Sequence, residues 1–129
     1  MRKFYALLAG FILSLAGFNS ANARNVTPDV ANFTFTIDVP NNNVFFTNTS
    51  SIGSEPGIRR AFWNFGDGII QMTGPLDNSQ HHYQVAGTYN VCLRIYRYRP
   101  NIGDSVLSAY VCKTLTIQAS CNAESDFSI

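Results

Sequence analysis

The run Arg59-Arg60-Ala61-Phe62-Trp63-Asn64-Phe65, closed by Gly66-Asp67-Gly68, limits the possible folds more than any other stretch of this chain. Side chains on an extended strand alternate between two faces, so Ala61, Trp63 and Phe65 share one of them. A face carrying a tryptophan and a phenylalanine must be buried against something. An aspartate between two glycines is a turn former, so the chain reverses directly after it. Downstream, Tyr89, Val91, Leu93 and Ile95 repeat the same period-two pattern.

The remaining apolar runs also alternate, and turn residues separate them. Residues 31–37 form one run, and Pro40 with three asparagines forms a turn. Residues 44–48 are a second run, and a loop rich in Ser, Gly and Pro covers 50–57. Strands are expected over 59–65, 69–72, 81–84, 89–98 and 106–117, with a hairpin loop over Pro100–Asp104. No segment sustains a helical period. About seven short strands within one domain length define an all-β chain, an immunoglobulin-like two-sheet β-sandwich. Trp63 is expected as its core anchor. Tyr83 and Tyr89 are expected to bury their rings and tie their hydroxyls to nearby backbone.

Three motifs occur in order: Trp63-Asn64-Phe65-Gly66-Asp67-Gly68, then His82-Tyr83, then Gly87-Thr88-Tyr89-Asn90-Val91. Together they resemble the PKD domain (polycystic kidney disease repeat), whose pattern is Trp-Asp-Phe-Gly-Asp-Gly, His-Thr-Tyr and Gly-Thr-Tyr-x-Val. The resemblance spans residues 28–118. It implies an extracellular sandwich for adhesion or spacing, without catalysis. The last two strands, with their cysteines, resemble PKD domains of secreted and surface proteins of Bacteroidota. Some PKD-like domains use acidic residues near the glycine turn for calcium. Here Asn64 replaces the usual aspartate, leaving Asn64 and Asp67 as weak calcium candidates, with Asp29 and Asp38 able to approach from the first strand. A plain turn former is the simpler role for Asp67. No other cofactor is expected.

The first 23 residues are set apart. Arg2 and Lys3, a short apolar stretch from Leu7 to Phe18 and Ala21-Asn22-Ala23 have the form of a cleaved signal peptide. The domain then covers 24–118, and 119–129 is either a tail or the start of a further module. Residues 24–129 retain seven basic and eight acidic side chains. That balance gives no electrostatic reason to expect nucleic acid, and no membrane insertion is expected after cleavage. Localisation is expected to be secreted or at the cell surface.

Three cysteines in a secreted chain suit one disulfide and one remainder. A hairpin centred on Ile102 sets Cys92 opposite Cys112, within reach of a disulfide. The alternatives pair Cys121 with either one. The same register turns Lys113 inward with Val111 and Leu115, which requires a bulge or an edge position to relieve it.

The outward faces of the third, sixth and seventh strands gather the candidate binding residues: Arg60, Phe62, Arg94, Tyr96, Tyr98 and Tyr110. Aromatic rings with guanidinium groups suit stacking on sugars or packing against protein. Ordinary cross-strand support of the sheet is the competing role. His81 and His82 point to opposite faces of one strand, and no catalytic motif is present. Asn25, Asn32 and Asn48 stand in glycosylation sequons. Asp104-Ser105-Val106 resembles the O-glycosylation triplet of Bacteroidota. The expected function is non-catalytic binding of an extracellular protein or glycan, adhesion or spacing. The alternative is an accessory domain of a larger secreted hydrolase.

Overall fold

The computed structural model describes residues 25–119. The expected signal peptide, Cys121 and all but the first residue of the 119–129 segment lie outside the described residues. Seven strands follow in order: β1 (Phe33–Asp38), β2 (Asn43–Asn48), β3 (Ile58–Asn64), β4 (Ile70–Thr73), β5 (Ser79–His82), β6 (Gly87–Arg99) and β7 (Asp104–Ile117). They form two antiparallel sheets, β1-β2-β5 and β4-β3-β6-β7. This is the expected all-β sandwich, with β3, β6 and β7 side by side. Strand ends differ from the sequence reading by a few residues. β5 runs from Ser79 to His82; the Tyr83 N–H still donates to the Asn42 carbonyl at 3.0 Å, but Asn42, with φ 55°, turns out of the extended conformation there.

The core follows from the alternation. Ala61 and Trp63 of β3, Phe65 just beyond it, and Val91, Leu93 and Ile95 of β6 face Phe33, Val44 and Phe46 of the opposite sheet, and all are buried. Trp63 sits at its centre, 5.3 Å from the Phe33 ring and 5.5 Å from the Phe46 ring. Its indole N–H donates to Thr73 Oγ1 at 3.3 Å. A ring system of this size dominates the burial in so small a domain.

The β6–β7 hairpin departs from one expectation. The register centred on Ile102 holds from Gly87↔Ile117 to Ile95↔Ala109, and then slips by one. Tyr96 faces Leu107, Tyr98 faces Ser105, and Arg99 faces Asp104. Ser108 is the extra residue of a β-bulge, which leaves two residues on one strand opposing one on the other. A slip of one residue exchanges the two faces of a strand. Leu107 therefore points outward, where an unbroken register would have turned it in.

Lys113 does lie on the inner side, opposite Val91. Its relief comes from the edge, since β7 is the last strand of its sheet. The ammonium lies over the Phe33 ring, with Nζ 5.2 Å from the centroid, and donates to the Phe33 carbonyl on β1. The bulge lies five positions away and plays no part.

Candidate functional site

The motif residues brace the sandwich from within. Tyr83, fully buried, donates its hydroxyl to the Phe65 carbonyl at 2.7 Å. Burial, with the Asp67 and Tyr89 charges adding to it, pushes the Tyr83 phenol well above its usual value, so it remains a donor. Tyr89 donates to the Val85 carbonyl, and its ring lies 4.3 Å from that of Tyr83. Both tyrosines thus tie their hydroxyls to backbone. His81 stacks on Phe65 with centroids 4.1 Å apart, and its Nε2 meets Asp67 Oδ2 at 2.6 Å. These contacts join β5 and its exit to the β3–β4 turn, and so one sheet to the other.

The turn itself is built from short-range hydrogen bonds. Asn64 Oδ1 accepts from the Gly66 N–H at 3.0 Å, and Asp67 Oδ1 from the Ile69 N–H at 3.2 Å. Gly66 has φ 84°, and a Cβ there would meet the Asn90 carbonyl at 2.7 Å, so the position needs glycine. Burial raises the Asp67 carboxyl, but hydrogen bonds from His81 and Ile69 outweigh it and hold the group below its usual value. The oxygens of Asn64 and Asp67 are thus spent on the turn and on His81. Asp29 faces Arg59, and Asp38 accepts from Asn41 Nδ2 at 2.8 Å. The four residues named for calcium each have a partner of their own.

The candidate binding residues occupy the outer face of β4-β3-β6-β7. The register sets Arg60 beside Tyr96, Phe62 beside Arg94, and Arg94 beside Tyr110. Tyr98 lies between Ile58 and Ser105. All six residues named from the sequence therefore share one face. Phe62 and Tyr96 meet edge to face, 5.4 Å apart at 87°. A depression of about 430 Å³ is lined by Phe62, Asn64, Ile70, Arg94, Tyr96 and Ser105. Tyr110 is 63% exposed.

Sequence reasoning missed three contributors to this face. Ile70 pairs with Asn64 and Met72 with Phe62, so both point outward, and both are about as exposed as Tyr110. Leu107, turned out by the bulge, faces Tyr96. Ile69-Ile70-Gln71-Met72 has too little alternation to reveal a face, and no pattern marks the bulge. The Cys92 and Cys112 side chains flank the same face, with their sulfurs bonded at 2.04 Å.

Two packed antiparallel sheets with an inter-sheet tryptophan define an immunoglobulin-like sandwich module. The PKD domain family model matches residues 25–99, and the chain belongs to that family. No curated protein matches it. Among solved structures it is similar to the PKD1 domain of the Vibrio cholerae metalloprotease PrtV, at 24% identity and TM-score 0.53, covering 72% of this chain and 100% of that one. The PKD1 domain of Vibrio anguillarum Epp is 23% identical with TM-score 0.53, covering 74% and 99%. A structure of carbohydrate-binding modules of the β-sandwich superfamily, described as promiscuous in specificity, is 27% identical with TM-score 0.54. That match covers 73% of this chain and 36% of the other. Among the described residues no helix is long and apolar enough to cross a membrane.

Proposed function

We propose that this chain is a non-catalytic extracellular module that engages a protein or glycan partner through the outer face of its four-stranded sheet. One observation carries the reading. The solvent side of a half-buried antiparallel sheet is ordinarily polar. Here it presents Ile70, Met72, Leu107, Tyr98 and Tyr110, all exposed, around Phe62 and Tyr96. Contiguous exposed apolar surface of this kind marks interaction sites. The similarity to carbohydrate-binding modules supports the glycan branch.

The test is binding of the secreted protein to immobilised polysaccharides and extracellular-matrix proteins, beside the variant Y96A/Y98A/Y110A. Retention of the wild type and loss of the variant, at equal thermal stability, is the expected result. Equal retention of both removes this face from the function.

A second reading, an accessory domain of a larger secreted hydrolase, is favoured by the similarity to a domain of a metalloprotease. A reduced mass of the native secreted protein far above that of residues 24–129 is its expected signature. A mass matching those residues rejects it.

A further inference from the structure

We infer that the depression on the outer sheet face takes an anionic sugar, a pyranose bearing a carboxylate or sulfate, as one unit of an acidic polysaccharide. The inference rests on the reading of this face as the binding surface, and it names the ligand class.

The polar groups of the depression are unbalanced. Arg94 lies between Phe62 and Tyr110 in the register, half-buried, and its guanidinium has no hydrogen-bond partner among the described residues. Its five N–H donors are therefore free for a ligand. Asn64 spends its carbonyl oxygen on Gly66, which leaves its amide N–H groups as donors. Ser105 can give or take. Among the described residues no carboxylate stands on this face: its outward positions are Ile58, Arg60, Phe62 and Asn64 on β3 and Ile70 and Met72 on β4. On β6 and β7 they are Thr88, Asn90, Cys92, Arg94, Tyr96 and Tyr98, with Ser105, Leu107, Tyr110, Cys112, Thr114 and Thr116.

A site for neutral sugars needs acceptors as well as donors, because each hydroxyl both gives and takes a proton. A site offering an unpaired guanidinium and amide donors, with no carboxylate and only hydroxyl oxygens such as those of Tyr96 and Ser105 as acceptors, favours a ligand rich in acceptors. Arg fits that role through its planar fork, which matches a carboxylate or sulfate at two points. The aromatic walls supply the other half. Phe62 and Tyr96 form an apolar wall against which a pyranose ring can lie, and exposed Tyr98 and Tyr110 extend the surface along the sheet. About 430 Å³ falls in the range of small-ligand sites. Arg60, beside Tyr96, places a second positive charge on the same face.

The experiment measures binding of residues 24–129 to alginate, polygalacturonate, dextran sulfate, neutral dextran and poly-L-glutamate by affinity electrophoresis and calorimetry. The wild type is expected to bind at least one acidic polysaccharide and to ignore neutral dextran. R94Q is expected to weaken that binding about ten- to a hundred-fold, as loss of charged hydrogen bonds does. R99Q removes the same charge elsewhere and is expected to leave binding unchanged. Thermal melts show whether each variant folds. Binding of neutral dextran that needs Tyr96 and Tyr110 but not Arg94 would keep the face and overturn the anionic class. Poly-L-glutamate binding as strong as any polysaccharide, through Arg94, would assign an acidic protein instead. No binding to any acidic polysaccharide, or binding that survives both R94Q and Y96A/Y110A, would overturn the proposal.

Discussion

Asp29 and Arg59 meet through two hydrogen bonds of 3.0 Å, from Nε and Nη2 to the two carboxylate oxygens, and both residues are buried. The carboxylate also accepts from the Gly53 N–H at 2.7 Å and from the hydroxyl of Ser108, the bulged residue of β7. One aspartate therefore ties the segment before β1, the β2–β3 loop, β3 and the bulge together. A buried pair of this kind is costly to break from one side, because the remaining charge has no partner. D29N is expected to lose about 3–5 kcal/mol of stability in urea denaturation. The double change D29L/R59M is expected to lose much less, since it strands no charge. Equal losses would mean that the pair itself, rather than the stranded charge, supplies the stability.

The same carboxylate gives stability a pH dependence. Burial raises the Asp29 carboxyl, but hydrogen bonds from Arg59, Ser108 and Gly53 with the Arg59 charge bring it below its usual value. Asp67 is also lowered, by His81 and Ile69. A carboxyl with a folded value below its unfolded one binds fewer protons when folded. Its contribution is complete above the unfolded value, about 3.9 for aspartate, and is lost as pH falls through the folded value. Thermal midpoints are thus expected to fall on acidification below about pH 4. D67N should flatten that fall relative to wild type. A wild-type curve without slope in this window would refute the linkage.

Tyr83→Phe isolates one hydrogen bond. It keeps the ring packed against Tyr89 and His81 but leaves the Phe65 carbonyl without its buried donor. An unsatisfied buried acceptor costs about 1–3 kcal/mol. A chemical-denaturation midpoint shift of that size is expected, with an unchanged m-value. A neutral result would show that water replaces the hydroxyl.

Cys92 and Cys112 close a loop with a sequence separation of 20 across the β6–β7 hairpin. Chain-entropy arguments give such a cross-link about 3 kcal/mol, mostly by restricting the unfolded chain. C92S/C112S is expected to unfold at correspondingly lower urea concentration. The unreduced wild type is expected to weigh two hydrogens less than the reduced form. A native mass without that difference would reject the pairing.

The frame was legible where one residue pattern had one outcome. Trp63 on an alternating run, followed by a glycine turn, has little choice but the core. The six named face residues follow from the same alternation, because β3 and β6 keep their register and Tyr110 pairs with Arg94 on the unslipped side of the bulge. Legibility ended where tertiary context decides. Nothing local links Asp29 to Arg59, thirty positions apart. The bulge at Ser108 carries no composition signal of its own, yet it decides which way Leu107 points. Ile70 and Met72 gain a face only by pairing with Asn64 and Phe62.

Lys113 shows how an awkward inward charge is put to use. β1 and β7 end their respective sheets, so both carry backbone groups free to pair with another chain. Inward-pointing lysines are a recurrent guard on such edges, since pairing would strip water from the ammonium. Here the Lys113 ammonium donates to the Phe33 carbonyl of β1 and lies over the Phe33 ring. K113V fits the strand and the inner face, but it removes the charge and the cap on that carbonyl. It is therefore expected to self-associate with rising concentration in sedimentation velocity, while the wild type and K113R remain monomeric. The monomeric K113V is expected to lose about 1–2 kcal/mol, the cost of a lost charged hydrogen bond partly regained from solvent. A K113V variant that stays monomeric at every concentration would mean that the twist and bulge of β7 alone protect the edge.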